Sequence, residues 1–262
     1  DAFDAASACF YSASEKEKQK KCDAGISNSY GSYFTMSLSF FKDPYGKNTE
    51  ELKKVFPEEI WLHGEILPDL EKLRDAAAEA GFLLRIESGF RSFEKQLSIW
   101  NRKANGELPL LNERGTLFEE APLNEKELMY RILLWSALPG ASRHHFGTEI
   151  DVSDAKAIPE NYEVQLTTAE CDGMFAPFHA WLSERIETGK SFGFTRVFVP
   201  GRGKIQPEKW HLSHLPTARK IQERFSESAL KEIFERSEIS CKEAILSEFP
   251  VLLQNYIYPY FI

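Results

Sequence analysis

The chain is short of basic side chains relative to acidic ones, 32 against 40, and it has only 4 cysteines in 262 residues. Each shortage removes a class of explanation. The acidic balance, with no Lys/Arg stripe interleaved with aromatics, argues against nucleic-acid binding. No apolar run reaches the roughly 20 residues of a membrane-spanning helix. There is no internal repeat and no low-complexity tract, so solenoids and linker-like chains are excluded. Cys9, Cys22, Cys171 and Cys241 form no close-spaced metal motif, which disfavours a zinc–thiolate structural site. An even count permits disulfides in an exported protein, with Cys9 and Cys22 the nearest pair in sequence; reduced thiols are the equal alternative. The chain begins at Asp1 without Met, as a processed product would, and any secretory signal would lie upstream of it.

What is present is a hydrophobic fraction of 42% with 13% aromatics, enough for a sizeable core. The length suits one domain with elaborations, or a core domain plus a helical extension. Asp1 to Ala13 could start a short helix, and Asn28 to Phe41 reads as strands or extended packing. Leu62, Ile66, Leu70, Leu73 and Ala77 recur at helical spacing, with Gly81 as a stop. Phe82 to Ile86 reads as a strand, and Ser92 can cap a helix carrying Phe93, Leu97 and Trp100. Residues 102–123 read as a loop long enough to border or cover a cleft. Asn124 with Glu127 forms a capping box for a helix bearing Leu128, Ile132 and Trp135. Phe178, Trp181, Leu182 and Ile186 mark another helix ended by Gly189, Phe192 to Val199 a strand, and Pro200 to Gly203 a turn. After Pro216 the pattern is helical to the end. The apolar, aromatic stretch Phe249 to Ile262 is expected to dock on the domain, since exposed apolar surface of that extent is uncommon in monomers; contact with a partner or a membrane surface is the minority reading.

The chemistry concentrates in Ser142-Arg143-His144-His145-Phe146-Gly147-Thr148-Glu149-Ile150-Asp151 and in Glu208-Lys209-Trp210-His211. Two imidazoles and one carboxylate are a common ligand set for a catalytic zinc, which keeps its fourth position open. A glutamate that does not bind the metal can then act as the base. Gly147 allows a tight turn after His144. On the strand expected over Thr148 to Val152, Glu149 and Asp151 share a face, which makes Glu149 a partner of a ligating histidine or, less favoured, a competing ligand. His63 and His179 read as structural. His145 and His214 neighbour the candidate ligands and could be mistaken for them. Arg91 sits just before a helix N-terminus, where a guanidinium and free backbone N–H groups both suit a carboxylate; pairing with an internal acid is the alternative.

Ser-x-His-x-x-Gly-x-x-x-Asp followed by Glu-x-Trp-His resembles the VanY-type D-Ala-D-Ala carboxypeptidases, zinc peptidases of the LAS superfamily that act on bacterial cell-wall peptides. Ser88-Gly89-Phe90-Arg91-Ser92 with Gln96 is similar to that family's Ser-Gly-Tyr-Arg-Ser-…-Gln stretch. The resemblance covers roughly residues 60 to 215. It implies His144, Asp151 and His211 as zinc ligands, Glu208 as catalytic base, and Arg91, Ser142 and Gln96 on the substrate. It also implies an α+β fold of the Hedgehog/DD-peptidase type, a small, mainly antiparallel sheet with packed helices, plus a helical C-terminal extension. The expected division is an N-terminal extension over 1–58, a peptidase domain over 59–216 and the extension over 217–262. Phe90 stands for the usual Tyr, and Glu149 stands where many members have Ala.

The expected activity is hydrolysis of the terminal D-Ala peptide bond of peptidoglycan stem peptides, in the periplasm or cell envelope or outside the cell. L,D-carboxypeptidase action on tetrapeptides and endopeptidase action on cross-links are alternatives within the same resemblance. A non-catalytic wall-peptide-binding module is the alternative from another class, and Glu208 is the residue it would not need. A zinc-stabilised structural protein would call for a closed four-ligand site, for which the cysteines are badly spaced.

Overall fold

The computed structural model describes residues 44–262; the helix and strands expected over Asp1 to Phe41, and the Cys9–Cys22 pair, lie outside the described residues. The architecture is α+β with two antiparallel sheets. A hairpin pairs β1 (Leu52–Val55) with β2 (Ile60–His63). The main sheet has the order β3-β4-β6-β5, from β3 (Leu84–Ser88), β4 (Glu149–Asp154), β5 (Phe194–Thr195) and β6 (His211–His214).

Side chains alternate across this sheet. Ile86, Ile150, Val152 and Leu212 face a core closed by α1 (Leu67–Glu79), through Leu70, Leu73 and Ala77, and by α5 (Ala176–Glu187), through Phe178 and Leu182. Burying each Leu-sized side chain there contributes roughly 1.5–3 kcal/mol. Glu149, Asp151, His211 and Ser213 hold the alternating positions, and their side chains contact one another. A second core binds α2 (Phe93–Ala104) and α3 (Glu125–Leu133) to α7 (Glu227–Arg236), α8 (Lys242–Ser247) and α9 (Phe249–Leu252), with Trp100, Met129, Phe234 and Ile245 at its centre. Two shorter helices are α4 (Thr168–Asp172) and α6 (Leu215–Gln222), the latter packing Ala218 and Ile221 against Phe146.

Several elements differ from what local sequence pattern suggests. Leu62 belongs to β2 and Ile66 to a 3-10 turn, so α1 starts only at Leu67, where Pro68 fits the first turn. Asn124 caps α3, but Glu127 turns its carboxylate to the N–H of Leu123, so the box is not reciprocal. Trp135 lies beyond α3 and donates to the carbonyl of Asn112. Only Phe194 and Thr195 of the expected strand over Phe192 to Val199 pair in the sheet. The C-terminal stretch is helical and docked, with Phe249, Leu252, Leu253, Ile257 and Tyr260 buried. Cys171 and Cys241 are buried free thiols, and burial pushes them up to about 12 and about 11. Among the described residues no helix is long and apolar enough to cross a membrane.

Candidate metal centre and substrate cleft

Register brings the first cluster together. Strands β4 and β6 pair Asp151 opposite His211. His144 reaches the same point from a 3-10 turn over Arg143–Phe146, closed by Gly147 at φ +69°. A side chain at Gly147 would be strained there, and its Cβ would come within 2.7 Å of Leu52 Cδ2. His144 Nε2 lies 3.4 Å from Asp151 Oδ2, and His211 Nδ1 lies 3.2 Å from Asp151 Oδ1. One ligand-capable atom from each of the three lies within 4.8 Å of the others, and all three residues are buried.

The donor set fits a metal ion such as zinc. Ligands about 2.0–2.1 Å from a tetrahedral zinc stand roughly 3.3 Å from one another, matching the separations from Asp151 to each imidazole. The opposite ring nitrogens are engaged: His144 Nδ1 is 2.8 Å from the carbonyl of Gly89, and His211 Nε2 is 2.8 Å from Glu149 Oε2. With Nδ1–H of His144 and Nε2–H of His211 donated to those acceptors, the lone pairs of His144 Nε2 and His211 Nδ1 converge on Asp151.

The charges agree with that picture. Burial pushes His144 down to about 4, opposed by Asp151, so its imidazole is neutral, as a ligand requires. Burial would also lower His211, but hydrogen bonds to Asp151 and Glu149 outweigh it and carry it up to about 9. A metal ion at Nδ1 would therefore displace a proton. Burial alone would raise both carboxylates; positive charge instead holds them at about 2, chiefly Arg143 for Glu149 and, for Asp151, His144 in the protonated form it takes below about 4. Arg143, buried to 4% exposure, donates to Glu149 Oε1 at 3.0 Å and to Ser213 Oγ at 2.7 Å.

A cleft of about 1180 Å³ opens over this cluster, lined among others by Arg91, Ser142, His144, Asp151, Glu208 and Trp210. Glu208 Oε2 is 3.8 Å from His211 Nδ1, with the Glu208 side chain 14% exposed. Burial pushes its carboxyl up to about 7, Asp151 adding to the rise and His211 opposing it. That value suits a group that both takes and gives a proton near neutrality. Trp210, which lines the same cleft, is buried at 6% exposure.

Arg91 precedes α2, and its Nη1 donates to Gln96 Oε1 at 2.9 Å. Among the described residues no carboxylate pairs with it. Gln96 is buried, gives its amide N–H to the carbonyl of Ala137, and is not among the residues lining the cleft. Its contacts go to Arg91 and the chain behind it. His145 is also explained: Nε2 accepts from the N–H of Gly140 and Nδ1 is 2.6 Å from the carbonyl of Arg91, so it braces the guanidinium's backbone. His214 bonds to Asp69 and Thr217, His63 to Glu51, and His179 sits in α5 beside Arg196; none joins the cluster.

One cleft residue was not foreseen. Lys103, in the last turn of α2, donates from Nζ to Ser136 Oγ at 2.6 Å. Burial brings it down to about 8, Arg91 adding to the fall and Glu208 opposing it. The stretch after it supplies Leu108, Pro109, Leu111, Glu113 and Arg114 to the cleft wall, as a bordering loop should.

The family model for "VanY: D-alanyl-D-alanine carboxypeptidase" matches residues 59–217, more than half of the chain. The chain belongs to the VanY D-alanyl-D-alanine carboxypeptidase family. Its relatives include an uncharacterized protein of Haemophilus influenzae, 29% identical over 124 residues, which are 46% of this chain and 92% of the relative. A D-alanyl-D-alanine carboxypeptidase of Enterococcus faecalis is 25% identical over 153 residues, 57% of this chain but only 47% of that enzyme. Among solved structures, a vancomycin resistance D,D-pentapeptidase VanY mutant in complex with Zn(II) is 21% identical, with a TM-score of 0.44 over 74% of this chain and 89% of that one. The LD-carboxypeptidase LdcB is 19% identical, with a TM-score of 0.47 over 77% of this chain and 80% of that one.

Proposed function

We propose that this VanY-family chain is a zinc-dependent D,D-carboxypeptidase that removes the terminal D-Ala from peptidoglycan stem peptides. The observation that carries the reading is the convergence of His144, Asp151 and His211 under a cleft that Glu208 and Arg91 also line. His144 Nε2, Asp151 and His211 Nδ1 would hold the ion, which when bound polarises a carbonyl and acidifies water. Glu208 takes the proton from the attacking water and delivers it to the leaving amine nitrogen, a double duty suited to a carboxyl near 7. Arg91 and Ser142 receive the terminal carboxylate of the substrate, which limits cleavage to chain ends, and Gln96 keeps the guanidinium aimed. Trp210 restricts solvent around Glu208. The peptidase unit is residues 59–216, with 217–262 as a docked extension, and the substrate implies a periplasmic, cell-envelope or secreted location.

The test is to incubate the zinc-loaded protein with a stem pentapeptide ending in D-Ala-D-Ala and with the corresponding tetrapeptide, and to weigh the products. The reading expects the pentapeptide to lose one alanine and the tetrapeptide to persist. An untouched pentapeptide, or preferential loss from the tetrapeptide, overturns it.

A further inference from the structure

Residues 218–262 lie beyond the part of the chain matched by the family model, yet the end of this extension reaches the back of the metal-site cluster. The carbonyl of Tyr260 accepts from Arg143 Nη1 at 2.6 Å. The other terminal nitrogen of the same guanidinium donates to Glu149 Oε1, and Glu149 Oε2 meets His211 Nε2. A second line of contact runs through rings: Tyr260 to Phe198 at 4.8 Å between centroids, and Phe198 to His211 at 4.7 Å.

Tyr260 is itself clamped. It is 2% exposed, and its hydroxyl accepts from the N–H of Ile205 at 2.8 Å. Space for that hydroxyl exists because residue 203 is glycine; a Cβ there would stand 2.4 Å from it. Phe261 packs with Phe146, Ala218 and Ile221, and Arg219 Nε donates to the carbonyl of Ile262 at 2.9 Å. An apolar plug would need only the rings. The hydrogen bond that a buried guanidinium, already spent on Glu149, donates to a backbone carbonyl of the extension is an additional and directional feature. Arg143 Nε has no partner among the described residues, so the guanidinium's hydrogen bonds come from its two terminal nitrogens.

We propose that Tyr260 is a positioning residue for the metal centre: it holds Arg143, Arg143 holds Glu149, and Glu149 fixes the ring of His211 so that Nδ1 points at Asp151. This rests on the reading of His144, Asp151 and His211 as metal ligands. Groups that orient a ligating histidine typically change metal affinity by about 10–100-fold when lost.

The test uses the full chain and Zn²⁺ alone, with affinity measured by competition against a chromophoric chelator and geometry followed by the visible spectrum of the Co²⁺ form. Tyr260→Ala is expected to weaken zinc binding by about tenfold or more and to lower the tetrahedral Co²⁺ absorption, with the metal-free protein still folded by circular dichroism. In an Arg143→Met/Glu149→Gln background, where the relay is already broken, the same change is expected to cost less than about threefold, because coupled sites are not additive. If Tyr260→Ala does not fold, Tyr260→Phe, which removes only the hydroxyl clamp, is expected to cost about threefold in the native background and nothing in the relay-broken one. Folded variants that bind zinc as the parent does, or equal losses in both backgrounds, overturn the proposal. A parent chain that binds no zinc would instead overturn the metal reading on which it rests.

Discussion

Arg143→Met should destabilise the metal-free protein far more than its loss of packing explains. Arg143 and Glu149 are an ion pair 3.0 Å apart, with side chains 4% and 0% exposed. At an effective dielectric of about 20, charges at that distance attract by about 5 kcal/mol. Removing one partner of such a pair strands the other, and measured costs run about 3–5 kcal/mol. Glu149 would keep Thr148 Oγ1, Ser213 Oγ and His211 Nε2, the last protonated at pH 7 without metal, but would lose Arg143, the cation that lowers its carboxyl most. For a domain of this size each kcal/mol moves the melting temperature by about 2–4 °C, so a fall of roughly 6–20 °C is expected. Arg143→Met/Glu149→Gln removes both charges and should recover most of that fall, since deleting a whole buried pair is often close to neutral. Thermal unfolding followed by circular dichroism at pH 7 on the metal-free proteins decides it. A single variant melting within about 2 °C of the parent, or a double variant as unstable as the single, would refute the reasoning.

Glu208→Ala should retain one zinc per chain while losing about 10²–10⁴-fold in turnover of the pentapeptide, because it removes the proton carrier and no ligand; near-parental turnover would sink the assigned role. Lys103, brought down to about 8 by burial, is charged below that pH and neutral above it, so if it helps Arg91 attract the substrate carboxylate, KM should rise as pH climbs through about 8. Lys103→Arg stays charged throughout and should move that limb upward in a pH profile of kcat/KM; an unmoved limb assigns it to another group.

The centre was legible where chemistry sits in consecutive residues. His144, Gly147 and Asp151 are seven positions apart end to end, and both the turn and the strand after it follow from local rules. The pairing of Asp151 with His211, 60 residues on, depends on strand register, which no local pattern encodes. Glu149 was readable as a histidine's partner because it shares a face with Asp151. Arg143 was not, since its contact with Glu149 crosses the Gly147 turn and fits no helix or strand period. Lys103 falls in the stretch 102–123 that reads as loop from sequence, but the helix continues to Ala104. Leu62 lay at helical spacing from Ile66 and Leu70, and short apolar runs of that kind suit a strand equally well. Gln96 carries a polar side chain in the stretch that the resemblance assigns to the substrate, and its burial and its hydrogen bond show that it faces Arg91.

The most direct test of the central claim is anomalous diffraction at the zinc edge from crystals of the full chain grown with Zn²⁺. One peak is expected, bonded to His144 Nε2, an Asp151 carboxylate oxygen and His211 Nδ1, with Glu149 still on His211 Nε2. A peak bonded elsewhere, or to His211 through Nε2 with Glu149 displaced, would contradict it.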